Sequence, residues 1–150
     1  MTRVYLDVNV SLDLVTARQP YHDNAKYLVD PASVLSIKLM ISAASITTII
    51  YQANKDKIPN AQHAIWEFLE RCDIVNAYKS TICTAFHSDF RDKEDASEYF
   101  TALDHHADYF LTRDLQDFKK SLSPILPVLT PIQFKDIIGD HTIFVSSGVM

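Results

Sequence analysis

Short apolar runs alternate along this chain with stretches of helical spacing, and no linker interrupts them. The runs are Arg3 to Leu6, Lys38 to Ser42, Asp73 to Asn76, Asp108 to Leu111 and Ile125 to Leu129, each read as a strand. Between them lie Val8 to Thr16, Tyr21 to Leu35 with a break at Pro31, Ser45 to Lys55, and Asn60 to Arg71. Thr81 to Ser88, Asp92 to His105 and a last helix from Pro131 through Ile138 follow. Short strands separated by helices imply an α/β fold, a parallel sheet with helices on both faces. One domain over residues 1–138 is expected. Residues 139–150 are left as a tail whose stretch His141 to Met150 is read as an edge strand or as disorder.

Three acidic clusters fall at strand ends or at a helix start. They are Asp7-Val8-Asn9, Asp92-Lys93-Glu94-Asp95, and Thr112-Arg113-Asp114 with Asp117. Ligand sites in open parallel sheets form outside the carboxyl edge, so acids placed there converge. Two carboxylates about 5 Å apart repel by roughly 3 kcal/mol at an effective dielectric near 20. Protonation or a divalent cation relieves that repulsion. The clusters are read as a metal site.

Composition removes other chemistries. With two glycines in 150 residues, neither a Walker A loop nor a dinucleotide fingerprint can be written. A net charge of −5 argues against tight nonspecific binding to long duplexes. It leaves a nuclease open, since Arg91, Lys93, Arg113, Lys119 and Lys120 lie beside the acids. For Lys119 and Lys120 a solvated surface is preferred. No signal peptide or apolar run of spanning length is seen, and no membrane association is expected. Cys72 and Cys83 have no metal spacing and are read as two partly buried thiols in a reducing cytosol, with a disulfide left open. The histidines lack zinc spacing, and His105-His106 suits a helix C-terminus. Tyr51, Trp66, Tyr99 and Phe100 are read as core, although Tyr99, one turn from Asp95, also suits a cleft wall.

The sequence resembles the PIN domains, metal-dependent nucleases that include the VapC-type ribonuclease toxins. The resemblance spans about the first nine-tenths of the chain. It is carried by Leu6-Asp7-Val8-Asn9-Val10 with Leu12-Asp13-Leu14, and by Ser42-Ala43-Ala44-Ser45-Ile46-Thr47. Further on come Ser88-Asp89-Phe90-Arg91-Asp92-Lys93-Glu94-Asp95-Ala96 and Ala107-Asp108-Tyr109-Phe110-Leu111-Thr112-Arg113-Asp114. Asp117-Phe118 and Pro127-Val128-Leu129-Thr130-Pro131 complete the set. Each piece is weak alone; in order and at family-like spacing they make a specific signal.

The resemblance implies a PIN-like three-layer α/β/α sandwich with a short, mostly parallel sheet. It makes Asp7, Asp95 and Asp114 the catalytic acids and ligands of Mg²⁺ or Mn²⁺. Asn9, Thr112 and Asp117 support them, and Arg113 and Lys93 are expected to contact substrate. The family's second acid, a glutamate early in the helix after the Ser-Ala strand, is here Thr48, or Thr47 if the register slips by one. One subgroup of PIN domains likewise carries a neutral polar residue there. The implied activity is endoribonuclease hydrolysis of RNA, in the cytoplasm, as the toxin of a type II toxin–antitoxin pair. RNA and an antitoxin protein are the expected partners. The alternative, favoured by Thr48, is a PIN-like module that binds RNA or a partner without cutting.

Each acid also has a plainer role. Asp92 suits a helix cap, and that reading is preferred; for Asp95 the metal reading is preferred. Asp114 and Asp117 resemble a local capping pair, and for Asp117 both readings stand. Asp13 is expected to face solvent. A haloacid-dehalogenase-type phosphatase would need a second aspartate and Gly-Thr where Asn9-Val10 stands, and a phospho-receiver would need a lysine near Leu129-Thr130-Pro131. The first two long helices carry Tyr27, Leu28, Val34, Leu35, Ile49, Ile50 and Tyr51, which predicts a homodimer through that surface.

Overall fold

The computed structural model describes residues 1–118 and 126–139. Its strands are β1 (Thr2–Leu6), β2 (Ile37–Ser42), β3 (Cys72–Val75), β4 (Tyr109–Leu111) and β5 (Val128–Leu129). They form one sheet in the order β3-β2-β1-β4-β5, and every neighbouring pair is parallel. The helices are α1 (Val8–Thr16), α2 (Tyr21–Ala25), α3 (Ala43–Lys55), α4 (Ala61–Arg71), α5 (Lys79–His87) and α6 (Lys93–Asp104). A seventh, α7, covers residues 131–139. Lys119, Lys120 and the tail beyond Gly139 lie outside the described residues.

The alternation of side chains along each strand sorts the core into two layers. Val4, Leu6, Leu39, Ile41 and Leu111 face one side, where Val10, Leu14, Ile49, Ile65, Phe68 and Phe134 pack on them. Tyr5, Met40 and Phe110 face the other, against Ala85, Phe90, Ala96, Tyr99 and Phe118. The chain is thus an α/β/α sandwich. Tyr99 is fully buried and belongs to the second layer. Its ring packs against Phe90 at 5.4 Å and Phe110 at 5.9 Å, which seats α6 on the sheet.

Helix starts follow local polar chemistry. Ser42 accepts from the Ser45 N–H at the start of α3 (3.0 Å). Asp92 accepts from the Glu94 and Asp95 N–H groups (2.8 and 3.1 Å), the capping role preferred for it above. Thr130 and Gln133 satisfy each other's N–H groups around Pro131 in the first turn of α7.

Three expectations change. The stretch from Tyr21 to Leu35 is not one helix: α2 ends at Ala25, and two 3₁₀ turns, Lys26–Val29 and Pro31–Ser33, follow. Asp30 caps the second turn (2.8 Å to the Ala32 N–H), and Pro31 has no N–H to continue a ladder. Tyr51 and Trp66 are not core; they are 65% and 62% exposed on the outer faces of α3 and α4. Cys83 is exposed rather than partly buried, and both cysteines are free thiols. The apolar surface expected for a dimer also shrinks. Leu28 and Ile49 fill the chain's own core, whereas Val34, Leu35, Ile50 and Tyr51 remain exposed.

Candidate active site

In a parallel sheet of this order the carboxyl ends of β1 and β4 border the crevice where ligands gather. Asp7 sits at that end of β1. It is 4% exposed and caps α1, its Oδ1 accepting from the Val8 N–H (2.8 Å). Its other oxygen accepts from the Thr112 hydroxyl at the end of β4 (2.9 Å). Thr112 in turn accepts from the Asp114 N–H (3.2 Å). Burial raises the Asp7 carboxyl above the ordinary aspartate range, and the hydrogen bonds from Thr112 and Val8 only partly oppose that.

Helix α6 brings a second carboxylate to Asp7. Asp95 stands in its first turn, and its pKa is pushed up to about 7, by burial first, then by the charges of Asp7, Asp92, Asp117 and Glu94. Asp117, on the 3₁₀ turn Leu115–Phe118, is exposed and bonded to the Asp114 carboxyl, which raises it. Asp7, Asp95 and Asp117 thus share one electrostatic neighbourhood, to which Asp114 is joined through Asp117 and Thr112. Asn9 is half-buried in the first turn of α1.

A carboxyl with a folded pKa near 7 and an unfolded one near 3.8 holds its proton more tightly in the folded state. The folded protein therefore loses stability as pH rises across that window. Asp95 is half-exposed, so solvent reduces the full shift to about 1–2 kcal/mol. The metal-free protein should melt several degrees higher at pH 5 than at pH 8, and excess Mn²⁺ should narrow the gap. A melting curve that rises monotonically over that range would rule this out.

Other side chains stand elsewhere than expected. Asp13 does not face solvent: it is 1% exposed and paired with Arg113 (2.8 Å from Oδ2 to Nε). The Arg113 guanidinium also lies 3.9 Å above the Tyr21 ring, so its charge is engaged in locking α2 over α1. Lys93 donates to the carbonyls of Ser88 and Phe90 (3.0 and 2.8 Å), tying down the turn between α5 and α6. Thr47 and Thr48 are both exposed, each hydroxyl returning to the Ala44 carbonyl (2.8 and 3.2 Å).

One group escaped the reading of the sequence. Glu98, one helical turn after Asp95, accepts from Ser42 (2.8 Å), Ser45 (3.5 Å) and the Tyr5 hydroxyl. Burial raises its carboxyl, the Tyr5 and Ser42 hydroxyls oppose the rise, and Asp7 and Glu94 add to it. The available signal was the i, i+3 spacing of Asp95 with Glu98 on one helix face, and of Ser42 with Ser45 at a helix start.

Among the described residues no group of three His, Cys, Asp or Glu side chains is placed to hold a metal ion. The oxygen-only donor set nevertheless suits a hard cation such as Mg²⁺, which is typically held by one or two carboxylates and several waters. Burial is the first cause of the raised Asp95 carboxyl, and the repulsion from neighbouring acids that adds to it is what such a cation would relieve.

A family model of the PIN domain matches residues 3–116. The chain belongs to the PIN domain family. No curated protein is similar enough to count as a match. Among solved structures, this PIN domain is similar to VapBC2 of Rickettsia felis bound to a DNA fragment from its promoter. That match has a TM-score of 0.63 at 16% identity, covering 86% of this chain and 98% of the other. A toxin–antitoxin complex from Klebsiella pneumoniae matches at TM-score 0.61 and 22% identity, covering 85% and 97%. VapC20 of Mycobacterium tuberculosis, a toxin that cleaves the sarcin-ricin loop, matches at 0.60 and 14%, covering 77% and 95%. At these identities the likeness establishes the shared fold. Among the described residues no helix is long and apolar enough to cross a membrane.

Proposed function

We propose that this PIN domain is a Mg²⁺- or Mn²⁺-dependent endoribonuclease that acts as the toxin of a type II toxin–antitoxin pair. The observation that carries this reading is Asp7 at the carboxyl end of β1, held by Thr112 from the end of β4, with Asp95 in the first turn of α6, where burial first and then Asp7's charge raise it to about 7. Family membership and the toxin folds it resembles support the nuclease class. A bound divalent ion supplies an activated water and screens the phosphodiester charge. Asp7, Asp95 and Asp114 would hold it, Asp114 with Asp117 contributing from the β4 side. Thr112 fixes the rotamer of Asp7, and Asn9 stands beside it on α1.

The exposed side of the crevice is where RNA would enter. Arg113 and Lys93 are occupied by Asp13 and by backbone carbonyls, so in this reading they shape the rim more than they grip phosphate. An antitoxin protein and a homodimer through Val34, Leu35, Ile50 and Tyr51 are part of the same proposal. The free thiols of Cys72 and Cys83 suit a reducing cytoplasm. A structured RNA pool incubated with the protein tests the activity. Cleavage with Mn²⁺ and none with a chelator is expected. RNA binding without cleavage under both conditions would favour the second reading, a non-cutting module, for which the exposed neutral Thr48 is the specific support.

A further inference from the structure

The carboxylate missing from α3 has a counterpart on α6. Thr48 points out of the fold, but α3 and the end of β2 present two buried hydroxyls instead, Ser42 at 5% exposure and Ser45 at 3%. Both donate to Glu98, and Tyr5 on β1 donates to the same carboxylate. Tyr5 is on β1, two residues before Asp7 at the strand's carboxyl end, and Glu98 is one turn after Asp95 on α6. Glu98 is therefore anchored to the elements that carry the acids.

We propose that Glu98 is the fourth acid of this site, a positioning residue whose carboxylate, oriented by Tyr5, Ser42 and Ser45, strengthens the binding of the divalent ion. Where a glutamate on α3 is absent, two buried serines at the end of β2 and the start of α3 hold a glutamate from α6. Three hydroxyl donors on one carboxylate orient it and oppose the rise that burial imposes on it. Residues three apart on a helix have Cβ atoms about 5–6 Å apart, close enough for Glu98 to act on an ion at Asp95. This inference rests on the metal-dependent reading above.

Two variants separate charge from packing. Glu98→Gln keeps the length and an acceptor oxygen but removes the charge. Glu98→Asp keeps the charge and shortens the arm. Calorimetric titration of Mn²⁺ alone into wild type and both variants is the measurement, with thermal melting of the metal-free proteins beside it. Glu98→Gln should weaken Mn²⁺ binding by about tenfold or more, the scale of one charge removed near a divalent ion in a screened crevice. Its metal-free melting temperature should hold or rise, and Glu98→Asp should bind more tightly than Glu98→Gln. Unchanged affinity in Glu98→Gln, failure of that variant to fold, or Glu98→Asp binding no better than Glu98→Gln would overturn the proposal. If wild type itself binds no Mn²⁺, the metal-dependent reading falls first and takes this inference with it. If wild type binds and Glu98→Gln binds equally, only the inference falls.

Discussion

Asp7→Asn should abolish Mn²⁺ binding at concentrations that saturate the wild type, while the metal-free melting temperature stays level or rises. Asp7 is the most buried of the site acids, and burial is the first cause of its raised carboxyl. Removing one anionic ligand should weaken the ion by about 2–4 kcal/mol, well under the low-dielectric Coulomb limit because water screens the crevice. The fold should hold because Asn caps helices about as well as Asp. The Thr112 hydroxyl, which donates to Asp7, can turn to accept from the new amide. An unfolded Asp7→Asn variant, or one with wild-type metal affinity, would show that Asp7 is a structural cap and nothing more.

Asp13→Ala should act oppositely, on stability instead of on metal. Its carboxylate is buried against Arg113, and its Oδ1 has no hydrogen-bond partner. Burial raises the Asp13 carboxyl, and Arg113 opposes that rise. Truncation leaves the guanidinium a quarter exposed without its counter-charge. Breaking a buried pair from one side costs about 3–5 kcal/mol, and the exposure of Arg113 reduces that to about 2–3. For a domain of this size the melting temperature should fall by about 5–10 °C. An unchanged melting temperature in Asp13→Ala would mean that the Tyr21 ring alone holds Arg113 in place.

The positions of Asp7 and Thr112 were legible because an apolar run fixes where a strand ends and the next residue meets the crevice. Asp92 was legible as a cap for a similarly local reason. Asp13 was not, because its burial depends on Arg113, a hundred residues later, pairing with it directly and packing on the Tyr21 ring. Periodicity places Asp13 on a helix but does not say what else lands on that face. The 3₁₀ turns after Ala25 escaped for lack of any side-chain period that separates them from a helix. Tyr51 and Trp66 have core-like chemistry and helical spacing, yet they lie on outer faces; composition cannot tell an inner apolar stripe from an outer one. Glu98 was hidden most deeply. Its meaning exists only once β1, the end of β2 and α6 are brought together, since its partners are Tyr5, Ser42 and Ser45.

The central claim is that this PIN domain cuts RNA only as a divalent ion occupies the crevice at Asp7 and Asp95. Mn²⁺ should be titrated into wild type with calorimetric occupancy and the rate of RNA cleavage recorded at the same concentrations. The rate should follow occupancy and vanish in Asp7→Asn at every concentration. Cleavage that persists in a chelator, or full occupancy with no cleavage of any RNA offered, would contradict it.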